Sequence, residues 1–134
     1  MVEQPPAVVL VVTDGDELVL VRQYRPGAQL EVLELPAGSM EEGESPVEAA
    51  ERELAEECGL AVDGWTEIGQ FWTAPEYSTE LVRVLAGTVS GEAPGDADDD
   101  EQIEVVRMTP EQALVLLEDA GSVAALGLWM RNYR

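Results

Sequence analysis

The stretch GSMEEGESPVEAAERELAEECGL, from Gly38 to Leu60, decides how this chain is read. Its middle is a helix by its own chemistry. Ser45 offers a capping hydroxyl, Pro46 suits the first helical position, and Glu48 closes a capping box. Gly59 is a natural stop after the last turn. Between these signals, Pro46 to Cys58 holds Glu48, Glu51, Glu53, Glu56 and Glu57 against one base, Arg52. Val47, Ala50, Leu54 and Cys58 recur at helical spacing and predict a buried stripe, with Arg52, Glu53, Glu56 and Glu57 on the other side. Glu53 and Glu57 then lie one turn apart with Glu56 alongside. Like charges so placed destabilise an isolated helix by about a few tenths of a kcal/mol per pair. Two readings fit the helix alone: a solvated acidic face, or a face that binds a divalent cation, whose preferred ligands are carboxylates.

Outward from the helix, the pattern alternates strands and helices. Ala7–Val12 and Glu17–Tyr24 are β-branched runs separated by Thr13-Asp14-Gly15-Asp16, whose Asp-Gly pair signals a hairpin. Leu30–Leu35 predicts a third strand before Pro36. Trp65–Trp72 and Glu80–Val89 predict strands flanking the loop Thr73–Thr79, and Gln102–Met108 a strand after the acidic loop Ser90–Glu101. Thr109-Pro110-Glu111-Gln112 repeats the capping-box logic and opens a helix to about Ala120. Gly121 is expected to end it and Ser122 to cap a last helix to about Tyr133. The sum is a mixed sheet with helices on its faces, an α/β arrangement in a single domain over residues 1–134.

Composition narrows the function classes. The 134 residues carry 28 acids and 7 bases, all arginine, for a formal net charge of −21. A field of that sign repels nucleic-acid backbones and anionic membranes, so neither is an expected partner. No apolar run reaches the roughly 18 residues needed to cross a bilayer. The N-terminus lacks a signal-peptide pattern and Cys58 is the lone cysteine, so a cytoplasmic location is the default. With no histidine, a metal site must be built from oxygen, which favours Mg²⁺, Mn²⁺ or Ca²⁺ over Zn²⁺. The acid excess itself reads either as arginine codon preference with a solvated acidic surface, or as adaptation to a salt-rich cytoplasm.

The order of the residues from Gly38 to Leu60 adds more. Gly38, five residues, Glu44, seven residues, Arg52-Glu53-Leu54, one residue, Glu56-Glu57, one residue, and Gly59-Leu60 resembles the Nudix box at each of its defined positions. The resemblance implies the Nudix fold, a mixed β-sheet sandwiched between α-helices. It also implies hydrolysis of a nucleoside diphosphate linked to another group, by water, with Mg²⁺ or Mn²⁺. Carried over by position, Glu53 and Glu57 are the main metal ligands, Glu56 shares a second ion and has a catalytic part, and the carbonyl of Ala37 completes the site. Arg52 and Glu44 pair to hold the helix against the loop, and Gly38 and Gly59 are structural.

The flanks Val21–Gly27 (VRQYRPG) and Leu33–Gly38 (LELPAG) are similar to the ADP-ribose pyrophosphatase branch, as is Phe71–Glu80 (FWTAPEYSTE). The branch implies a phosphate contact for Arg25, metal or substrate binding for Glu80, and a catalytic base in the loop Asp98–Glu101, Glu101 first and Asp99 second. Tyr24, Trp72 and Tyr77 offer faces for adenine, with core packing an equal role for Trp72. Two departures stand out. The family has glycine after Pro75 where this chain has Glu76, and glutamate takes positive φ only at a cost. Longer ADP-ribose pyrophosphatases also carry an N-terminal segment of strands that exchanges between subunits, whereas six residues precede the first strand expected here. The expected function is a pyrophosphohydrolase of ADP-ribose or another ADP-sugar, giving AMP and a sugar phosphate. Its partner is a small nucleotide-sugar, and a homodimer is left open. A nucleoside triphosphate or dinucleoside polyphosphate hydrolase is the alternative enzyme, and a non-catalytic nucleotide-sugar-binding module the alternative of another class.

Overall fold

The computed structural model describes residues 1–94 and 102–133. Eight strands and three helices follow one another as β1 (Ala7–Asp14), β2 (Glu17–Arg25), β3 (Leu30–Glu34), β4 (Ala37–Ser39), α1 (Pro46–Cys58), β5 (Leu60–Val62), β6 (Thr66–Trp72), β7 (Leu81–Glu92), β8 (Glu104–Met108), α2 (Pro110–Leu116) and α3 (Ala120–Tyr133). The β1–β2 hairpin turns at Gly15, which takes the positive φ expected of the Asp-Gly pair.

β1 is the central strand. It runs parallel to β7 over Ala7 to Thr13 and antiparallel to its other neighbours. Its second edge is divided: Ala7–Val9 pair with β4, and Thr13–Asp14 pair with β2. Helix α1 packs against β4 on this divided edge. Both faces of β1 are apolar because both are covered. Val9 and Val11 join Leu18, Leu20, Val84 and Leu126 in the cluster under α2 and α3. Val8, Leu10 and Val12 join Val19, Ala49, Ala50, Leu54 and Leu85 in the cluster under α1. Strict alternation between two cores is the period-2 geometry of a strand inside a sandwich, so the expected mixed sheet between helices is what forms.

Three expectations are corrected. The buried stripe of α1 is Ala49, Ala50 and Leu54, while Val47 is exposed and Cys58 only partly buried. Small alanines let this helix lie close to the sheet, and the first turn carrying Val47 is left at the surface. The second helix ends at Leu116, and Gly121 lies inside α3. The cap of α3 is Asp119, whose Oδ2 accepts from the Ser122 N–H at 3.0 Å. Ser122 is buried instead, and its Oγ accepts the Leu35 N–H at 2.9 Å, tying α3 to the end of β3. Finally, β7 continues to Glu92, three residues beyond the expected end.

Candidate active site

The capping box at Ser45 forms as the sequence predicts: Ser45 Oγ accepts the Glu48 N–H, and Glu48 returns the bond to the Ser45 N–H. Gly59 closes α1 in the left-handed region at φ 68°, donating to the Ala55 carbonyl. These ends fix the extent of α1, and burial of Ala49, Ala50 and Leu54 leaves its acidic face toward β4 and the loop before the helix.

Arg52 is the hub of that face. Its Nε and Nη2 donate to the two carboxylate oxygens of Glu44 at 2.8 and 2.9 Å, a bidentate fork. Nη2 also donates to the Ser39 carbonyl, and Nη1 to Glu53 Oε1 at 2.8 Å and Glu56 Oε2 at 3.4 Å. Glu44 in turn accepts the Glu41 N–H. The fork from Arg52 holds the Glu44 carboxyl below the usual carboxylate range, and the same bond raises Arg52 further above its own ordinary value. Glu53 moves the other way. Its side chain is 13% exposed, and this desolvation raises its pKa although Arg52 pulls against it.

Gly38 is glycine for a steric reason. A Cβ there would sit 2.1 Å from the Glu53 carboxyl carbon, so the carboxylate lies directly on the Gly38 backbone. Glu57 reaches the same segment, its Oε2 accepting the Ala37 N–H at 3.2 Å. Ala37, Gly38, Glu44, Arg52, Glu53, Glu56 and Glu57 are therefore one connected site, and Gly59 ends its helix. As the side chains stand, no three of the described His, Cys, Asp and Glu residues converge into a ready metal cage. The donors around Arg52 are nonetheless all oxygen, and the acids outnumber the one cation they share.

Arg25 stands beside this site. Its Nε and Nη2 donate to Glu34 at 2.7 and 2.8 Å, and this bond raises the Arg25 pKa, with smaller contributions from the charges of Glu57 and Asp119. The stretch from Glu34 to Ala37 thus carries Arg25 at one end and Glu57 at the other. Glu34 is a partner that the sequence reading missed. Its signal was an acid between Leu33 and Leu35, both buried. The Ser39 carbonyl and the N–H of Ala37 were missed as well, since the resemblance carried over the Ala37 carbonyl alone among backbone groups.

Glu80 and Tyr77 lie on the loop before β7, at the end of the sheet where β1 meets β4. Thr73 N–H donates to the Glu80 carbonyl, and Glu80 N–H to Ser78 Oγ. Tyr24, Trp72 and Tyr77 are all exposed, which removes the core role for Trp72. Glu76 does not occupy the left-handed region, since Gln29 is the described non-glycine residue with positive φ. Asp99 and Glu101, the expected base, lie outside the described residues.

The NUDIX domain family matches residues 3–127. An ADP-ribose pyrophosphatase of Bacillus subtilis strain 168 is 41% identical over 88% of this chain and 65% of its own length. A methanol dehydrogenase activator of Bacillus methanolicus is 32% identical over 89% of this chain and 66% of its own. The chain therefore spans about two thirds of the length of these curated relatives. An ADP compounds hydrolase of Escherichia coli strain K12 is 31% identical over 94% of this chain and 72% of its own. Among solved structures, an ADP compounds hydrolase superposes with a TM-score of 0.85 at 28% identity, covering 96% of this chain and 76% of that one.

Proposed function

The chain belongs to the NUDIX domain family, and from that premise we propose that it is a metal-dependent pyrophosphohydrolase of ADP-sugars, cleaving ADP-ribose with water to AMP and ribose 5-phosphate. The observation that carries this reading is the crowding of Glu44, Glu53 and Glu56 around Arg52, with Glu57 held to the adjoining Ala37. A desolvated carboxylate in a cluster short of positive charge is stabilised when a divalent cation completes the charge. The all-oxygen donor set fits Mg²⁺ or Mn²⁺, held by Glu53, Glu56, Glu57 and the Ala37 carbonyl. Such an ion, when bound, neutralises pyrophosphate oxygens and lowers the pKa of water.

The chain's own residues do the rest. The Ala37 N–H orients Glu57, and Arg52 fixes Glu44 and Glu53 relative to β4. Arg25 binds a phosphate oxygen, Glu80 supports substrate or metal, and Tyr77 offers its exposed ring to the adenine. Glu101, with Asp99 second, takes the proton as the water oxygen bonds to phosphorus and the bridging P–O bond breaks.

A substrate panel with Mg²⁺ or Mn²⁺, read by phosphorus NMR, tests the reading. ADP-ribose should yield AMP and ribose 5-phosphate faster than nucleoside triphosphates or dinucleoside polyphosphates react. Triphosphate turnover ahead of every ADP-sugar rejects the substrate assignment. Glu101→Gln should lower kcat by roughly 10²-fold with little change in KM. Unchanged rates in it and in Asp99→Asn return water activation to a box glutamate such as Glu56.

A further inference from the structure

We propose that Glu34 is a positioning residue for substrate binding: its buried carboxylate clamps one edge of the Arg25 guanidinium and holds it at the rim of the acid cluster for a phosphate oxygen. This rests on reading the site as a nucleotide pyrophosphohydrolase.

An anionic substrate approaching a chain of net charge −21 needs a cation fixed in place. Arg52 does not serve, because Glu44, Glu53, Glu56 and the Ser39 carbonyl already take its nitrogens. Among the described arginines, Arg22, Arg83 and Arg107 are engaged with Glu104, Glu67 and Asp14, and Arg131 lies in the last turn of α3. Arg25 differs from these. Its side chain remains 48% exposed, while its acid, Glu34, is 10% exposed at the side chain. Glu34 occupies only the Nε–Nη2 edge, so Nη1 is the part of the fork that Glu34 leaves over.

The acid is itself held firmly. Glu34 ends β3, and the next residue, Leu35, donates its N–H to the buried Ser122 hydroxyl of α3. Three residues from Glu34, Ala37 holds Glu57. A fixed carboxylate therefore fixes the guanidinium relative to the segment Glu34–Ala37 that also holds Glu57. An unpaired arginine loses side-chain freedom on binding a phosphate, and the clamp removes part of that loss in advance. Merely neutralising a buried acid would need a cation at Glu34, with no requirement on the fork's direction. Positioning needs the direction, and the experiment turns on that difference.

Steady-state kinetics on ADP-ribose with Mg²⁺ compare the wild type with Arg25→Lys, Arg25→Met, Glu34→Gln and the double variant Arg25→Met/Glu34→Gln. Arg25→Lys keeps the charge and loses the fork, and Glu34→Gln keeps the shape and loses the charge. Each should weaken catalysis roughly tenfold, carried by KM rather than kcat. Glu34→Gln should add nothing to KM once Arg25 is methionine. A KM within twofold of wild type in Glu34→Gln overturns the proposal, as does a full Glu34→Gln effect persisting in the Arg25→Met background. If Glu34→Gln does not fold, Glu34→Asp, which keeps the charge and withdraws the carboxylate from the fork, takes its place, and a KM within twofold of wild type in it overturns the proposal. A wild type that turns over no ADP-ribose counts against the substrate reading instead. The clamp is then tested by calorimetric binding of inorganic pyrophosphate with Mg²⁺, where weaker binding in the same variants supports it and unchanged binding rejects it.

Discussion

Arg52 donates to three glutamates and a backbone carbonyl, while Arg25, a short distance away, spends one edge of its guanidinium on a single buried glutamate. The first arginine is enclosed by acids contributed by α1 and the loop before it. Its work is to fix where those carboxylates point, and nothing of it is left for a ligand. The second is anchored from beneath and half exposed above. The same residue type thus serves as a hub in one place and as a presented cation in the other, and the number and burial of its partners decide which. In a chain this acidic, most carboxylates repel one another. The ones that matter for chemistry are those whose positions an arginine or a backbone N–H dictates.

Removing the acids that Arg52 and Ala37 organise should have the largest effect. Glu53→Gln or Glu57→Gln should cut kcat by a factor of about 10² or more with the fold intact, since each removes a charged ligand of the proposed metal site. Near-normal turnover in both, at saturating Mg²⁺, would remove the metal assignment. Gly38→Ala should act through the same carboxylate. The added methyl would collide with the Glu53 carboxyl, the far end of a flexible side chain, so Glu53 moves rather than the backbone. A kcat loss on the order of tenfold with a nearly unchanged melting temperature is expected. Unfolding instead would mean that the glycine serves packing alone.

Smaller effects sharpen the hub. Glu44 has its pKa lowered in the folded state by Arg52, so its contribution to stability is present above the ordinary carboxylate pKa and is lost as pH falls through the lower folded value. Glu44→Gln should therefore lower the melting temperature at neutral pH and leave a shallower fall in acid than the wild type shows. Parallel pH curves for the two proteins would contradict the pairing. The smallest and broadest effect is salt. The Debye length falls from about 10 Å at 0.1 M to about 3 Å at 1 M, which should relieve repulsion among acids that seven arginines cannot pair. We propose salt adaptation on that ground, and a melting temperature that rises through 0.1 to 3 M KCl supports it. A flat or falling curve leaves codon preference.

Much of this was legible in the sequence because the decisive stretch carries two codes at once. The caps at Ser45 and Gly59 fix the ends of α1, and the fixed spacing of Arg52, Glu53, Glu56 and Glu57 then fixes their face. The central strands were legible from their β-branched runs. The three-residue strands β4 and β5 were not, since so short a segment has no period to read. The break between α2 and α3 was misplaced because Gly121 looks like a stop, whereas Asp119 caps the next helix and holds glycine inside its first turn. Glu34 was passed over for a different reason: its partner lies on the neighbouring strand, and a pairing across strands is not written in spacing.

The acidic face of α1 is proposed to hold a divalent cation. Isothermal titration of Mg²⁺ into the wild type and into Glu53→Gln/Glu57→Gln, at fixed ionic strength, tests it without any substrate. A saturable binding heat in the wild type that disappears in the double variant is the predicted result, accompanied by a rise in melting temperature with Mg²⁺ in the wild type alone. Equal binding by both proteins would contradict it, and would return α1 to a solvated acidic face.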